Sequence, residues 1–399
     1  MSGMTQTTHE SGADRPRSVL FTSFEPSGDD HASTVIAELK RRHPDLRVYA
    51  WGGPRMAEAG AEVVEQTGRD AVMGVPGLAK IQEHRRINAR IGAWLDANPV
   101  QVHVPVDSPA ANFPICKMAH KRGIRVVHLV APQVWAWGSW RVKKLRRLTD
   151  RVLCLLPFEE AWFEQRGVPA RFVGHPLFDR SIDEDALNAA ASLMPAGSPR
   201  LALLPGSRPA ELAKNFPLML ESFRRLRRDR PKTVGVVAAT TDEVAHRLRE
   251  DAEALGGWPE GLEIEIGKTD AVVRWCDFAI VVSGTVTLQV ARQGKPMVIV
   301  YKASRAFYSL FARWVLTAPY YTLPNLIAGR EIVPELVPHF GDAEPIVQEV
   351  TRLIEDDGYA RAQRESLERV IEKFRDHDAS SLAADAIERM LGYSPASVG

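Results

Sequence analysis

The stretch Leu201-Ala-Leu-Leu-Pro-Gly-Ser-Arg208 decides the fold of the second half of the chain, because an apolar run of strand length leads directly into a Pro-Gly-Ser turn. Ala279-Ile-Val-Val-Ser-Gly-Thr285 repeats this arrangement further along the chain. Turns of this kind at the carboxyl ends of parallel strands are typical phosphate sites. Each motif alone is explained equally well as a tight turn. The two together predict that two strand ends meet one anionic ligand.

The second of these turns is predicted to lead into a helix. We expect Ser283 to cap a helix that runs through Gln289 and ends before Gly294, which leaves free backbone N–H groups facing an anion. Neither turn is a Walker A loop, because no Gly-Lys-Ser/Thr follows, and neither is a Gly-x-Gly-x-x-Gly motif. The sequence therefore argues against nucleoside triphosphate hydrolysis and hydride transfer.

The first turn is predicted to provide its positive charge differently. Residues 210–216 suggest irregular structure, and Pro217 is expected to open the next helix. The guanidinium of Arg208, rather than a helix end, would then bind the anion.

Apolar runs of strand length alternate with amphipathic segments along the whole chain, which indicates α/β structure. The predicted strands are 19–24, 48–51, 100–106, 126–130, 152–156, 201–204, 234–238, 262–266, 278–282 and 297–301. We predict two doubly wound Rossmann-like domains facing across a cleft, with ligands at the carboxyl ends of their strands. The first domain covers 1–178 and the second 179–374. The sequence does not decide whether the final helix, about 375–399, returns to the first domain.

Composition places the chain among ordinary water-soluble proteins. It has 399 residues, 45% hydrophobic and 25% charged, and its net charge of +1 gives no general attraction to nucleic acid. Its three cysteines are distant from one another and lie in apolar stretches, which predicts buried thiols without a catalytic role. No secretory signal and no run of about 20 apolar residues is present, so we predict a cytoplasmic protein with at most peripheral membrane contact.

The first strand leads into an acidic turn that contains Glu25, Ser27, Gly28 and Asp29. Its carboxylates would repel a phosphate but suit sugar hydroxyls, an ammonium group or general-base work. An alternative is that Asp29 or its neighbour Asp30 only caps the following helix. A metal site is disfavoured, because no further carboxylate or histidine stands at a suitable spacing.

Asp107 follows a strand that we expect near the centre of the first sheet. A carboxylate there could act as a general base if partial burial brings its pKa towards the working pH. The alternative is a turn cap before Pro109.

Three other segments combine apolar or aromatic residues with basic ones. Trp135 and Trp137 precede a basic helix and would form a sugar platform, a lipid-facing surface or ordinary core. Residues 72–81 and 307–316 would lie at a membrane interface or pack internally. The sequence leaves these alternatives open.

Taken in order, nine motifs of this chain resemble those of the lipid-A-disaccharide synthases, over about residues 18–390. They are Glu25-Pro-Ser-Gly-Asp29, Gly52-Gly-Pro-Arg-Met56, Asp107-Ser-Pro109, Pro132-Gln-Val-Trp-Ala-Trp137, Leu156-Pro-Phe-Glu159, Phe172-Val-Gly-His-Pro176, Leu204-Pro-Gly-Ser-Arg208, Ser283-Gly-Thr285 and Leu323-Pro-Asn-Leu-Ile-Ala-Gly-Arg330.

The resemblance implies a GT-B glycosyltransferase that joins UDP-2,3-diacylglucosamine to 2,3-diacylglucosamine 1-phosphate. It implies inversion at the anomeric carbon, release of UDP, no metal or other cofactor, and peripheral contact with the cytoplasmic face of the inner membrane. Asp107 would be the catalytic base, and the acidic turn would bind the acceptor. The residues expected to bind the nucleotide are Gly206, Ser207, Arg208, Ser283, Gly284, Thr285, Gln289 and Asn325.

Four positions depart from the family pattern. Phe24 stands where glycine is usual, and Ala110 stands where a second acidic residue normally follows Asp107. Gln289 replaces a glutamate expected at the ribose hydroxyls, and Pro338 belongs to a Val-Pro pair where Leu-Gln is common. These departures keep two alternatives open: a UDP-N-acetylglucosamine epimerase or hydrolase on the same fold, and a binding protein for a nucleotide or glycolipid that performs no turnover.

Overall fold

The computed structural model describes residues 17–67, 78–303 and 319–393, with the side chains of 78–81 excluded. The segment 307–316 and most of 72–81, which were considered for membrane contact, therefore lie outside the described residues. No helix among the described residues is long and apolar enough to cross a membrane. The chain divides into two compact units: unit 1 comprises Met1–Val134, Ser139–Asp179 and His377–Gly399, and unit 2 comprises Trp135–Gly138 and Arg180–Asp376.

Unit 1 is built around a seven-stranded parallel sheet in the order β3-β2-β1-β4-β5-β6-β7. Its strands are β1 (Ser18–Thr22), β2 (Arg47–Gly52), β3 (Glu62–Gln66), β4 (Val102–Pro105), β5 (Arg125–Leu129), β6 (Arg151–Cys154) and β7 (Ala170–Phe172). The intervening helices are α1 (Pro26–Arg42), α2 (Pro54–Glu58), α3 (Leu78–Ala97), α4 (Pro109–Lys121), α5 (Val142–Leu148), preceded by a 3-10 turn at Ser139–Arg141, and α6 (Glu159–Glu164).

Unit 2 repeats the design with a six-stranded parallel sheet in the order β10-β9-β8-β11-β12-β13. Its strands are β8 (Arg200–Leu204), β9 (Val234–Ala239), β10 (Leu262–Ile266), β11 (Phe278–Val282), β12 (Met297–Lys302) and β13 (Glu335–His339). Its described helices are α7 (Glu184–Ser192), α8 (Pro209–Asp229), α9 (Asp242–Ala254), α10 (Thr269–Trp275), α11 (Val286–Arg292), α12 (Leu323–Ala328), α13 (Glu344–Glu355) and α14 (Asp357–Glu372).

The central strands of both sheets are buried because helices cover both faces, as expected for doubly wound parallel sheets. Strands β1, β8 and β11 are almost continuously apolar for this reason, and alternate residues of each strand enter apolar clusters on opposite faces of the sheet. All ten strands predicted from the sequence are present, and the prediction of two α/β Rossmann-like units is confirmed.

The last described helix, α15 (Ala379–Leu391), packs in unit 1 against α1. Arg42 on α1 donates to the Asp385 carboxylate at 2.5 Å and to Glu388 at 3.2 Å. The His43 ring stacks on Tyr393 with centroids 3.9 Å apart. Apolar residues of α15 also enter the core beneath α1. Polar and apolar contacts together thus attach the end of the chain to unit 1.

Candidate functional site

In each sheet the order of the strands reverses at one point. The predicted site residues follow the two strands that flank this point in their own sheet. In unit 1 the chain moves outward from β1 to β3 and then returns to β4 beside β1. In unit 2 the same reversal falls between β8 and β11. Doubly wound proteins bind ligands at this switch point, beyond the carboxyl ends of the strands. Each unit therefore has one defined place for a ligand.

Asp107 follows β4 at the switch point of unit 1, in an unusual backbone conformation. Its φ is 44° and that of Ser108 is 39°, so two consecutive residues other than glycine are left-handed. The Asp107 N–H donates to the Leu129 carbonyl at 3.0 Å. Burial raises the pKa of the Asp107 carboxyl, the Ser108 N–H lowers it, and the nearby Glu25 charge raises it again. This is the direction that a general base requires.

Glu25 lies on the opposite side of the same switch point, at the start of α1. Its Oε1 accepts a hydrogen bond from the Ser108 hydroxyl at 2.7 Å, which joins the turn after β1 to the turn after β4. Ser27 is exposed in the first turn of α1. A Cβ on Gly28 would lie 2.3 Å from the Ser23 hydroxyl oxygen, so any larger residue here would displace the Ser23 side chain. The structure thus brings Glu25, Ser27 and Gly28 to the carboxyl ends of the central strands, where Asp107 also lies.

Asp29 has a structural role that differs from both sequence interpretations. It lies inside α1 rather than at its cap, and it is buried. Its carboxylate accepts hydrogen bonds from the backbone N–H groups of Gly53 at 3.0 Å, Arg55 at 3.1 Å and Met56 at 3.2 Å. These are the first N–H groups of α2, which a carboxylate stabilises well. The predicted acceptor contact of Asp29 is therefore replaced by capping of the next helix.

A buried polar chain lies under the Asp107 turn. Asn112, on the first turn of α4, donates from its amide nitrogen to the carbonyls of Val106 at 3.0 Å and Asp107 at 2.9 Å. Its amide oxygen accepts from the Thr22 hydroxyl at 2.7 Å, and that hydroxyl lies 2.9 Å from Nε2 of His103. Thr22, His103 and Asn112 are all fully buried. Sequence reasoning missed them, although a threonine and a histidine inside apolar strands were a usable signal.

Four histidines of unit 1, three of them buried and His31 half-buried, have lowered pKa values. Burial lowers the pKa of His103 to about 3, with His128 contributing, and that of His128 itself to about 4. Burial also lowers the pKa of His31 to about 4 and that of His175, with His31 contributing, to about 3. All four are therefore neutral near pH 7.

At the switch point of unit 2, the first turn is followed at once by a helix. Helix α8 begins at Pro209 with Arg208 as its N-cap, so the prediction of irregular structure and of a helix opening at Pro217 was wrong. Proline is tolerated at the first helical position because its missing N–H would have no partner there. Pro217 remains inside α8, whose apolar face is anchored in the core by Phe216 and Phe223.

Gly206 and Arg208 occupy the turn between β8 and α8. Gly206 has a φ of +98°, which glycine adopts without strain. The exposed Arg208 guanidinium donates to Glu211 at 2.9 Å. Ser207 lies between them and is exposed. This turn therefore presents one cation and two small residues at the switch point.

The second turn of unit 2 also differs from its prediction in one detail. Helix α11 begins at Val286 with Thr285 as its N-cap, and Ser283 instead donates to the Tyr321 carbonyl at 3.2 Å. The predicted capping by Ser283 was therefore wrong, because its hydroxyl is directed to another segment. The predicted helix end before Gly294 is confirmed. Gly284 belongs to the turn, and Gln289 is half-buried on α11.

Asn325 is hydrogen-bonded entirely within the protein. It is fully buried, and its amide nitrogen donates to the Val333 carbonyl at 3.0 Å and to Glu335 at 2.9 Å. Its amide oxygen accepts from Ile332 at 2.8 Å and Val333 at 3.1 Å. All of its hydrogen-bonding groups are used. The predicted contact with phosphate or sugar is corrected to a structural role, which fixes α12 against β13.

The remaining predicted residues have the following environments. Phe24 is buried against His84, and Ala110 is exposed. Trp135 is buried and Trp137 exposed.

All three cysteines are buried, as predicted, and burial raises the thiol pKa of Cys116 and Cys276 to about 12. Within the described part of the chain, no group of three or more His, Cys, Asp or Glu side chains is arranged to bind a metal ion.

Solved structures of low sequence identity share this architecture. The glycotransferase of kitacinnamycin superposes with a TM-score of 0.64 at 19% identity, covering 95% of this chain and 100% of that one. A UDP-GlcNAc 2-epimerase from Neisseria meningitidis, bound to UDP-GlcNAc, superposes with a TM-score of 0.63 at 11% identity, covering 94% and 100%. At these identities the likeness concerns the fold alone.

Sequence comparisons are more specific. The family model described as lipid-A-disaccharide synthetase matches residues 19–388. The lipid-A-disaccharide synthase of Geobacter sulfurreducens is 35% identical over 384 residues, covering 94% of this chain and 97% of that protein. The match includes both switch points and the turns that follow their strands. The chain therefore belongs to the lipid-A-disaccharide synthase family, and it is a glycosyltransferase of the GT-B fold that forms a lipid A disaccharide.

Proposed function

We propose that the donor is UDP-2,3-diacylglucosamine and the acceptor 2,3-diacylglucosamine 1-phosphate, and that the products are the disaccharide 1-phosphate and UDP. The observation that carries this proposal is the position of Asp107 at the switch point of unit 1, with a carboxyl pKa raised by burial. A base at this position suits deprotonation of a sugar hydroxyl. Family membership supplies the pairing of a UDP-sugar with a lipid acceptor.

Asp107 acts as the general base in this proposal. Its carboxylate takes the proton of the acceptor 6-hydroxyl while that oxygen forms a bond to the anomeric carbon of the donor. The bond from the anomeric carbon to the diphosphate oxygen breaks, and its electron pair leaves with UDP. Attack opposite the leaving group inverts the anomeric centre. Glu25, Ser27 and Gly28, at the same edge of the sheet, contact the acceptor.

Unit 2 binds the nucleotide in this proposal. Arg208 offsets the negative charge that develops on the diphosphate, and the hydroxyls of Ser207 and Thr285 donate hydrogen bonds to it. Ser283 belongs to the same turn, but its hydroxyl proton is donated to the Tyr321 carbonyl. Gly206 and Gly284 allow the backbone to approach the phosphates closely. Gln289, on α11, hydrogen-bonds the ribose without the charge of a glutamate. Asp29 and Asn325 are not assigned a ligand, because their hydrogen-bonding groups are engaged within the protein.

The acyl chains of both substrates suggest where the protein acts. Lipids with two acyl chains per sugar reside in a bilayer, so we propose peripheral contact with the cytoplasmic face of the inner membrane. Flotation with phospholipid vesicles tests this part: co-migration supports it, and recovery of all protein in the lipid-free fraction contradicts it.

The decisive experiment incubates the purified protein with UDP-2,3-diacylglucosamine, with and without 2,3-diacylglucosamine 1-phosphate. UDP release and product mass are measured together. We expect a disaccharide 1-phosphate, with UDP released only when the acceptor is present. UDP release without acceptor would indicate a hydrolase, and binding of UDP without turnover would indicate a nucleotide- or glycolipid-binding protein. Either result would overturn the proposal.

A further inference from the structure

We propose that Asn112 is a positioning residue that fixes the Asp107 turn, and that Thr22 and His103 fix Asn112 in turn. The inference rests on the proposed role of Asp107 as the base. It concerns the buried polar chain of Thr22, His103 and Asn112, none of which lies among the residues proposed to contact substrate.

The Asp107 turn needs an external constraint because its backbone is strained. Two consecutive residues other than glycine, Asp107 and Ser108, have φ values of 44° and 39°. Such conformations persist only where surrounding contacts impose them. The Asn112 amide donates to the Val106 carbonyl at 3.0 Å and to the Asp107 carbonyl at 2.9 Å, which lie on either side of the Asp107 Cα. It therefore holds the backbone from which the Asp107 side chain extends.

The hydrogen-bond donors in this chain have one consistent arrangement. Two carbonyl oxygens face one end of the Asn112 amide, so that end must be the NH2 group. The other end is an acceptor, and the Thr22 hydroxyl must donate its single proton to it. Nε2 of His103, 2.9 Å from the same hydroxyl, must then be the N–H donor. The chain of donation runs from His103 through Thr22 to Asn112.

Three separate elements thus determine the orientation of one amide group. His103 lies on β4, Thr22 on β1 and Asn112 on α4, and all three side chains are fully buried. Burial lowers the pKa of His103 to about 3, so the ring is neutral near pH 7 and carries one N–H. The arrangement requires the tautomer with this N–H on Nε2.

The test compares Thr22→Val with Thr22→Ser. Valine keeps the shape of threonine without its hydroxyl, and serine keeps the hydroxyl without the methyl group. Positioning predicts that Thr22→Val lowers kcat about tenfold with little change in KM, since a misplaced group affects the transition state more than substrate binding. Thr22→Ser should remain close to the parent. If packing alone mattered, serine would be the more damaging change.

A second readout follows the pKa of the Asp107 carboxyl. The ionisable groups facing this region are Glu25 from the start of α1, His103 from β4 and His128 from β5. A released turn exposes Asp107 to water, so the acid limb of kcat/KM should move to lower pH in Thr22→Val but not in Thr22→Ser. Titration of carboxyl-13C-aspartate by NMR, assigned through Asp107→Asn, measures the same pKa without catalysis.

These measurements separate the two proposals. If the parent forms no disaccharide, the proposed function fails, while the NMR titration still decides whether Thr22 and Asn112 position Asp107. Equal kcat and equal Asp107 titration in the parent and Thr22→Val would overturn the positioning role, as would greater damage by Thr22→Ser.

Asn112→Asp provides a second variant of nearly equal size that lacks the two amide donors. We expect a loss in kcat of about 100-fold, with the fold checked by circular dichroism. An unchanged kcat in the folded variant would overturn the inference.

Discussion

The two switch points have the same topology and opposite chemistry. In unit 1 the turns after β1 and β4 carry the carboxylates Glu25 and Asp107, whereas in unit 2 the turns after β8 and β11 carry Arg208 and hydroxyl groups. The fold therefore provides a place for a ligand but not its charge. A base is useful only where a proton must be removed, and a cation only where negative charge develops.

The two sites are also fixed differently. A chain of neutral side chains holds the Asp107 turn from one side, and the Glu25 carboxylate accepts a hydrogen bond from Ser108 within the turn. In unit 2, Glu335 accepts from the Tyr321 N–H at 3.1 Å and the Thr322 hydroxyl at 2.7 Å, and Tyr321 in turn accepts from Ser283. The neutral side chains add no further charge beside Asp107, whose carboxyl pKa is raised by burial, lowered by the Ser108 N–H and raised by the Glu25 charge.

The largest expected effect comes from removing the base. Asp107→Asn should lower kcat by about 10²- to 10⁴-fold, the usual contribution of a general base, with UDP affinity retained. Disaccharide formation and calorimetric titration with UDP measure the two quantities. The exposed Asp45→Asn in the same unit is the matched control and should leave both unchanged. Retained turnover in Asp107→Asn would assign the base elsewhere.

Removal of the cation should produce the second largest effect. Arg208→Ala should weaken UDP binding by about 1.5–3 kcal/mol, as expected for a lost hydrogen bond to a charged group. Calorimetric titration with UDP measures this change, and the exposed Arg361→Ala is the control within unit 2. If UDP affinity is the same in both variants, the anion is bound by other groups.

The buried histidines should make unit 1 sensitive to acid. Below pH 6.5, His128 is protonated in the unfolded chain. In the folded protein it stays neutral, because its pKa there is about 4. Stability is therefore fully present above pH 6.5 and is lost as the pH falls towards 4, by up to about 1.4 kcal/mol per pH unit for each such histidine.

His128→Leu should lower the number of protons taken up on unfolding by about one. The slope of the unfolding free energy against pH, measured with denaturant between pH 7 and 4.5, gives this number. The exposed His246 of unit 2 provides the control variant His246→Leu. An unchanged slope in His128→Leu would mean that His128 is protonated in the folded protein.

The smallest effect is expected from Glu25→Gln, which keeps an acceptor for Ser108 but removes the charge. Because burial and the Glu25 charge raise the pKa of Asp107, this variant should move the acid limb of kcat/KM to lower pH. Glu58→Gln, exposed on α2, should leave the profile unchanged. A shift to higher pH would contradict the arrangement described for the two carboxylates.

Much of the fold could be predicted from the sequence because buried strands are continuous apolar runs. Strands β3, β7 and β13 are not among the ten predicted runs, and each lies at a sheet edge. Strands β3 and β13 are only partly buried, and β7 has only three residues. Helix α8 was misplaced because Pro209 and Pro217 are local signals, whereas burial of Phe216 and Phe223 is a tertiary effect.

The sequence by itself determined the two α/β units, the four turns that carry the site and the opposite charges of those turns, because these depend on local patterns of apolar, small and charged residues. The tertiary structure alone decided which side chains are available to a ligand. Asp29 is engaged by N–H groups distant in sequence, and Asn325 by groups of the segment that leads into β13. Thr22, His103 and Asn112 meet only when β1, β4 and α4 pack together. Hydrogen bonds between distant segments leave no periodic pattern in a sequence.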